Sequence, residues 1–281
     1  MLRVLVAGAT GYLGRHVVAE LARRGHFVRA LVRDRARSPS QAAEVFVGRV
    51  TEPATLAGAA DGIDVVFSSV GITRQRDGLT FRDVDYQGNV NLLDVALAAR
   101  VPRFVYVSIL HADQLRALAI VRAHEEFVER LRAAPLASVV LRPTGYFSDM
   151  GEFLKMARAG RAYLFGDGSA RMNPIDGADL AVTAADAIER GSGDVPVGGP
   201  EILTIRQIAE TAFAAAGKPP RISSLPVGLM RGATAMLRLF SRHTAELLAF
   251  QTAVLTRDMV APTTGAITLA AHFRRQLADP I

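Results

Sequence analysis

The feature that most constrains this chain is Gly8-Ala9-Thr10-Gly11-Tyr12-Leu13-Gly14, three evenly spaced glycines between an apolar run and an amphipathic one. Residues 2–7 (LRVLVA) are apolar and end at glycine, which reads as a buried strand. Leu13, Val17, Val18 and Leu21 then recur at helical spacing up to Gly25, and residues 27–32 (FVRALV) read as a second strand. Strand, glycine turn, helix and strand in this order make a unit with parallel strands and a right-handed crossover. The glycine spacing has a chemical reason. The chain must turn sharply, pass close to a pyrophosphate and seat a helix on a strand, and each step favours a residue without a side chain. The helix then turns its free N–H groups and positive end toward the phosphates. Gly8, Gly11 and Gly14 are therefore expected to hold a dinucleotide.

The alternation continues. Strands are expected at 45–47, 63–67, 103–107 and 137–141, and helices at 53–60, 81–100 and 114–132. Such regularity predicts an α/β fold with a Rossmann-type, doubly wound parallel sheet. After Pro143 the rhythm loosens into helical segments at 150–159, 178–190, 204–216, 227–240, 244–255 and 267–277. The expected organisation is a dinucleotide-binding core over 1–145. A smaller, mostly helical part over 146–281 packs on it on the substrate side, the whole forming one compact unit.

A second reading point lies where the second strand ends, Leu31-Val32-Arg33-Asp34. A carboxylate there suits the ribose hydroxyl of NAD, and an arginine suits the 2′-phosphate of NADP. Arg33, with Arg35 and Arg37 beyond it, outnumbers Asp34, so NADP(H) is expected over NAD(H).

Composition narrows the alternatives. The 281 residues are half apolar, enough for a sizeable core. The absence of cysteine excludes disulfides, thiolate metal sites and a cysteine nucleophile. No leader pattern is read at the start, and no uncharged apolar run reaches the roughly 18 residues a membrane span needs, so a cytoplasmic protein is expected. The net charge of +6 is carried almost wholly by scattered arginines, so no nucleic-acid partner is expected. His16, His26, His111, His243 and His272 share no ligand spacing, so no metal site is expected.

At this point the sequence resembles the atypical short-chain dehydrogenase/reductases, in particular their NmrA-like NAD(P)-binding branch. The likeness is carried by GATGYLG at 8–14, LVRD at 31–34, DVVFSSVG at 64–71, the stretch 84–108, LRPTGYFSDM at 141–150 and GDGSARMNPIDGADLA at 166–181. The resemblance implies that Thr10, Tyr12 and Leu13 join the three glycines at the pyrophosphate, that Val70 and Gly71 lie along the nicotinamide ribose, and that Pro143, Thr144 and Gly145 close over the nicotinamide. It also implies that Asn89 hydrogen-bonds across the sheet. Tyr146, Phe147 and Met150 would follow as walls of an apolar substrate pocket, or as ordinary core.

The departures bear on chemistry. Most of the superfamily reduces carbonyls with a Tyr-x-x-x-Lys pair, the Tyr giving the proton. Here His124 stands where the branch often has Lys, and four residues earlier comes Ile120; Tyr106 falls in a strand and Tyr146 on a later loop. Ser108 occupies the active-site serine's place, where it orients a substrate oxygen or caps a turn. His124 is a general acid or, the preferred reading, a surface or boundary residue. Asp176 and Asp179 are read as caps of the helix that follows them. In 227–242, Arg231, Arg238 and Arg242 share a face beside a broad apolar one. That segment either packs on the core, as preferred, or touches a membrane surface. Three functions stay open: an NADP-dependent oxidoreductase acting on a small or medium apolar conjugated carbonyl or quinone, a non-catalytic NADP(H) sensor reporting to a protein partner, and, more remotely, an assembly or chaperone-like factor on the same fold.

Overall fold

The computed structural model describes residues 1–71 and 78–278. Its main sheet has seven strands in the order β3-β2-β1-β4-β5-β6-β9. The strands are β1 (Arg3–Ala7), β2 (Phe27–Val32), β3 (Glu44–Val47), β4 (Val65–Ser68), β5 (Arg103–Val107), β6 (Ala137–Pro143) and, at the far edge, β9 (Gly193–Val197). The first six pair in parallel, as the near-continuous apolar runs predict for strands covered on both faces. Between them lie α1 (Tyr12–Arg23), α2 (Asn89–Ala98), the short α3 (Ala112–Leu115) and α4 (Ala119–Ala133). The chain order reverses between β1 and β4. In open α/β sheets ligands bind outside the C-terminal ends of the strands at such a point.

By contacts the chain divides into two units, Met1–Arg142 with Leu180–Val195, and Pro143–Asp179 with everything from Pro196 on. Residues 180–195 thus belong with the first unit, whereas the sequence reading assigned all residues beyond 145 to the second part. The core of the first unit contains Leu5, Val66, Leu92, Leu93, Phe104, Phe127 and Leu131. The Tyr106 ring stands edge-on to Phe127, centroids 4.6 Å apart. Arg24 at the end of α1 reaches Asp186 (2.6 Å) and Glu189 (3.1 Å), and the arginines Arg23 and Arg24 pull the Glu20 carboxyl down to about 2.

The second unit contains α5 (Phe147–Ala159), β7 (Ala162–Phe165), β8 (Arg171–Met172), β10 (Leu203–Thr204), α7 (Ile205–Ala215), β11 (Ile222–Leu225), α8 (Val227–Leu237), α9 (Arg242–Leu255) and α10 (Leu269–Ala278). The helix α6 (Gly177–Arg190) runs from the second unit into the first. β7 pairs with β11 in parallel, and β8 with β10 antiparallel. The sequence reading missed these four strands.

Four expectations need correction. The long helix expected over 81–100 is two elements, a π-helical stretch Arg82–Gly88 followed by α2. The helix expected over 114–132 is broken into α3 and α4, with Leu118 extended between them. The segment 227–240 does not tuck its apolar side away. Leu229 and Met236 of α8 are 58% and 65% exposed, and Leu239 and Phe240 beyond it 81% and 82%. Asp176 accepts from the Ala178 N–H as a cap does, but Asp179 accepts from Ala266 and Ile267 and holds a distant loop instead.

Candidate functional site

In the first unit the glycine loop leaves β1 with Gly8 at φ +83°, a region that favours glycine. A Cβ on Gly8 would stand 2.7 Å from Ser69 Oγ, so β1 and the β4 exit come together through it. A Cβ on Gly14 would lie 2.0 Å from the Gly8 carbonyl oxygen. That close seating of helix on strand matches the role of the third glycine. Gly11 differs: its backbone (φ −74°, ψ 174°) admits any residue, and its Cβ would meet only the Gly8 carbonyl, at 3.1 Å. Gly11 caps α1 with no side-chain hydrogen bond, and no acidic residue occupies the first turn. The first N–H groups of α1 are thus not capped by a side chain, which suits an anion. Tyr12 lies edge-on to His16, and Leu13 is buried beneath the loop. Thr10 is half-buried.

At the end of β2, Arg33 is exposed and makes no hydrogen bond or ion pair within the described residues. Its neighbour Asp34 accepts from the Ala36 N–H at 3.0 Å and caps its own short turn. Arg29, on the same strand, is buried and engaged by Glu44 and by the carbonyls of Ala59 and Asp61, a structural role.

The β4 exit is fastened by Asn89, as expected of that residue. Ser68 Oγ donates to Asn89 Oδ1 (2.6 Å), and Asn89 Nδ2 donates to the carbonyls of Val70 (3.2 Å) and Asp85 (2.8 Å). This fixes the path of Val70 and Gly71.

Beside Gly71 runs a buried chain of side chains that the sequence did not reveal. His124 of α4 lies between Asp85, 3.2 Å from its Nε2, and the Tyr106 hydroxyl, 2.6 Å from its Nδ1. Asp85 and Tyr106 are fully buried and His124 is 8% exposed. A Cβ on Gly71 would sit 3.0 Å from Asp85 Oδ1 and 3.7 Å from His124 Nε2. An ionised carboxylate only accepts, so with Asp85 ionised Nε2 carries the proton and Nδ1 accepts from Tyr106. His124 is therefore an oriented, buried imidazole, a correction to its reading as a surface or boundary residue. Tyr106 reaches it from β5, not from the helix on which a Tyr-x-x-x-Lys pair would stand. The one signal for Asp85 in the sequence was its place one helical turn before Asn89.

Ser108 is drawn the other way. Its Oγ donates to Glu125 Oε1 at 2.7 Å, and Glu125 is gripped by Arg142 through two bonds of 2.9 and 3.0 Å. Arg142 also binds Asp194. Burial opposes the charge on Asp194, but the Arg132 and Arg142 guanidiniums hold its carboxyl below the ordinary range. The Ser108 proton is thus committed to a buried ion-pair network, which leaves Ser108 a positioning part in the protein's own structure.

In the second unit Thr144 donates its hydroxyl to the Asn173 carbonyl (2.6 Å), and its N–H bonds to Val197. Pro143 is buried at the end of β6, and a Cβ on Gly145 would press on Met172 at 3.2 Å. Tyr146 is half-buried and bridges to Ile175. Phe147 and Met150 are 2% and 5% exposed and pack as interior of that unit, Phe147 against the His272 ring at 5.3 Å. His272 and Arg275 both donate to the buried Asp176. Among the described residues no helix is long and apolar enough to cross a membrane.

These features can be set beside known proteins. Residues 8–190 match the model of a family described as NAD(P)H-binding. A divinyl chlorophyllide a 8-vinyl-reductase of Zea mays, a chloroplastic protein, is 33% identical over 81% of this chain, which spans only 62% of that relative's length. A photosystem II assembly factor of Synechocystis sp. is 28% identical over 92% of this chain and 83% of its own. Among solved structures, the NADPH-dependent quinone oxidoreductase of Escherichia coli in complex with NADPH shares the fold. It covers 98% of this chain at a TM-score of 0.75 and 22% identity. The glycine cradle, the strand order and the family match agree: this chain belongs to the NAD(P)H-binding family, on a Rossmann-type fold.

Proposed function

We propose that this protein is an NADPH-dependent reductase of a double bond conjugated to an extended π-system, a vinyl group on a tetrapyrrole first and a quinone or enone second. The observation that carries the reading is the Asp85–His124–Tyr106 chain lying against Gly71, beside the glycine cradle of the same unit. When bound, the reduced nicotinamide supplies a hydride. Gly8, Gly11 and Gly14 let the backbone approach the pyrophosphate, and the α1 N–H groups meet its charge. Asn89 holds the Val70–Gly71 segment in place. Asp85 orients His124; in its protonated form, balanced by the Asp85 carboxylate, His124 would give up one proton and return to the neutral tautomer, so that the acceptor takes hydride at one carbon and that proton at the other, a single bond left between them. A conjugated acceptor tolerates the missing tyrosine–lysine pair because its reduction does not require an alkoxide to be protonated by a strong acid. The name of the maize relative supports a vinyl tetrapyrrole as the acceptor.

NADPH oxidation followed by absorbance, with divinyl chlorophyllide, quinones, enones and simple aldehydes in turn, tests this. Consumption is expected with the conjugated acceptors and not with simple aldehydes. A second reading has its own support, since the cyanobacterial assembly factor matches this chain over most of its own length. Tight NADPH binding with no turnover of any acceptor would favour that reading and overturn ours.

Cofactor choice is tested separately. Arg33 is free to fork onto a 2′-phosphate, and Asp34 is engaged in its own turn. Hydrogen bonds to a charged group contribute about 1.5–3 kcal/mol, on the order of tenfold to a hundredfold in affinity. NADPH is therefore expected to bind that much tighter than NADH, and Arg33→Ala to erase the difference. Equal affinity of the wild-type protein for both would remove the assignment.

A further inference from the structure

We propose that the α8–α9 hairpin is a docking element for an anionic lipid surface. The proposal is independent of the reductase reading. Nine large hydrophobic side chains are prominently exposed among the described residues, and four of them, Leu229, Met236, Leu239 and Phe240, fall within residues 229–240. Clustering of this kind marks an interaction surface. Leu229 and Met236 are two helical turns apart on the outer face of α8. The side toward α9 is mixed: Val227, Arg231, Thr234 and Ala235 of α8, with Arg238 just beyond it, line a groove of about 310 Å³ opposite Thr252 and Ala253. The helix thus leaves Leu229 and Met236 bare on its outer face while exposed Arg231 and Arg238 edge the groove, not the pattern of a helix made only to face water.

The turn between the helices gives the orientation. It reads Arg238-Leu239-Phe240-Ser241-Arg242, two nearly bare apolar side chains flanked by exposed arginines. Leu239 and Phe240 at such a tip pass below the headgroups while Arg238 and Arg242 remain at phosphate depth, their stems along the acyl chains. Charge selects the occupant. From 226 to 257 there are four arginines and one acid, Glu246, so the element carries 4 − 1 = +3. A second copy docked by a twofold axis would set this positive patch against itself. An anionic bilayer matches both the apolar tip and the charge.

The test uses the whole protein and vesicles of phosphatidylcholine alone or mixed with phosphatidylglycerol. Co-sedimentation is expected with the anionic vesicles, weakening with salt, and not with phosphatidylcholine alone. Joint substitution Leu239→Ser and Phe240→Ser, and separately Arg238→Gln with Arg242→Gln, should each lower the partition coefficient by about tenfold or more. NADPH affinity and melting temperature should not move, because these side chains are exposed. The chain has no tryptophan, so Phe240→Trp installs a sole reporter whose emission should shift to the blue on anionic vesicles. No co-sedimentation and no shift would overturn the proposal. So would a concentration-dependent dimer that the paired serine substitutions dissociate, which would show that a second copy covers this face.

Discussion

Gly14→Ala is expected to cost about 3 kcal/mol of stability, the upper end of overpacking, and to abolish dinucleotide binding with it. The added methyl would sit 2.0 Å from the Gly8 carbonyl oxygen and 2.9 Å from Ala9 Cα, both backbone atoms of the loop itself. Neither can retreat without opening the junction between β1 and α1. Gly11→Val is the informative companion. Its backbone angles suit any residue, so the fold should survive, but the branched side chain would stand at the mouth of α1 where phosphate must approach. Loss of NADPH affinity on the order of a hundredfold or more, about 3 kcal/mol, is expected with a near-native melting curve. Melting and calorimetric titration of both variants separate the two effects. Wild-type NADPH affinity in a folded Gly11→Val protein would show that phosphate does not lie there.

His124→Gln should lower turnover of the conjugated acceptor by about a hundredfold, the size of a general-acid contribution, while NADPH affinity and KM stay near wild type. A surface or boundary His124, the preferred reading of the sequence, would lose little on the same substitution. The reversal rests on what surrounds the ring, a buried carboxylate 3.2 Å from one nitrogen and a buried phenol 2.6 Å from the other. Asp85→Asn keeps the shape and removes the charge that fixes the tautomer, so it too should depress kcat more than KM. Both variants lose a buried hydrogen bond, and a stability loss of about 1–3 kcal/mol should accompany them. Measuring kcat and melting temperature together decides the role. A fall in stability with unchanged kcat would make the chain structural only.

The first half of the molecule was open to sequence reading because its physics is local. An apolar run ending at Gly8 is a buried strand whatever follows, and Leu13, Val17, Val18 and Leu21 can be covered together only on a helix. Asn89 could be placed because a resemblance carried it. The Asp85–His124–Tyr106 chain could not, since its members come from a π-helical stretch, a helix and a strand, and no spacing rule joins them. A tyrosine four residues before position 124 would share a helix with His124, whereas Tyr106 meets it from β5. The π-helical stretch is invisible for a related reason: its residues have ordinary helical periodicity, and nothing in their spacing marks a wider turn. β8 and β10 are two residues each, too short for alternation to register. In α8 the stripe was seen correctly, but periodicity does not say which side of a helix faces inward.

The return of residues 180–195 to the first unit has a consequence for how the molecule is made. Arg24 finds Asp186 and Glu189 more than 160 positions downstream, and Arg103 donates to the Ile188 carbonyl. A ribosome therefore releases the glycine loop, its helix and six strands long before the segment that completes their fold. A fragment cut at 145 would leave these arginines and the outer edge of β6 without their partners. The nucleotide-binding half is not an excisable module but a clasp, closed only after the chain has detoured through most of α5, β7 and β8.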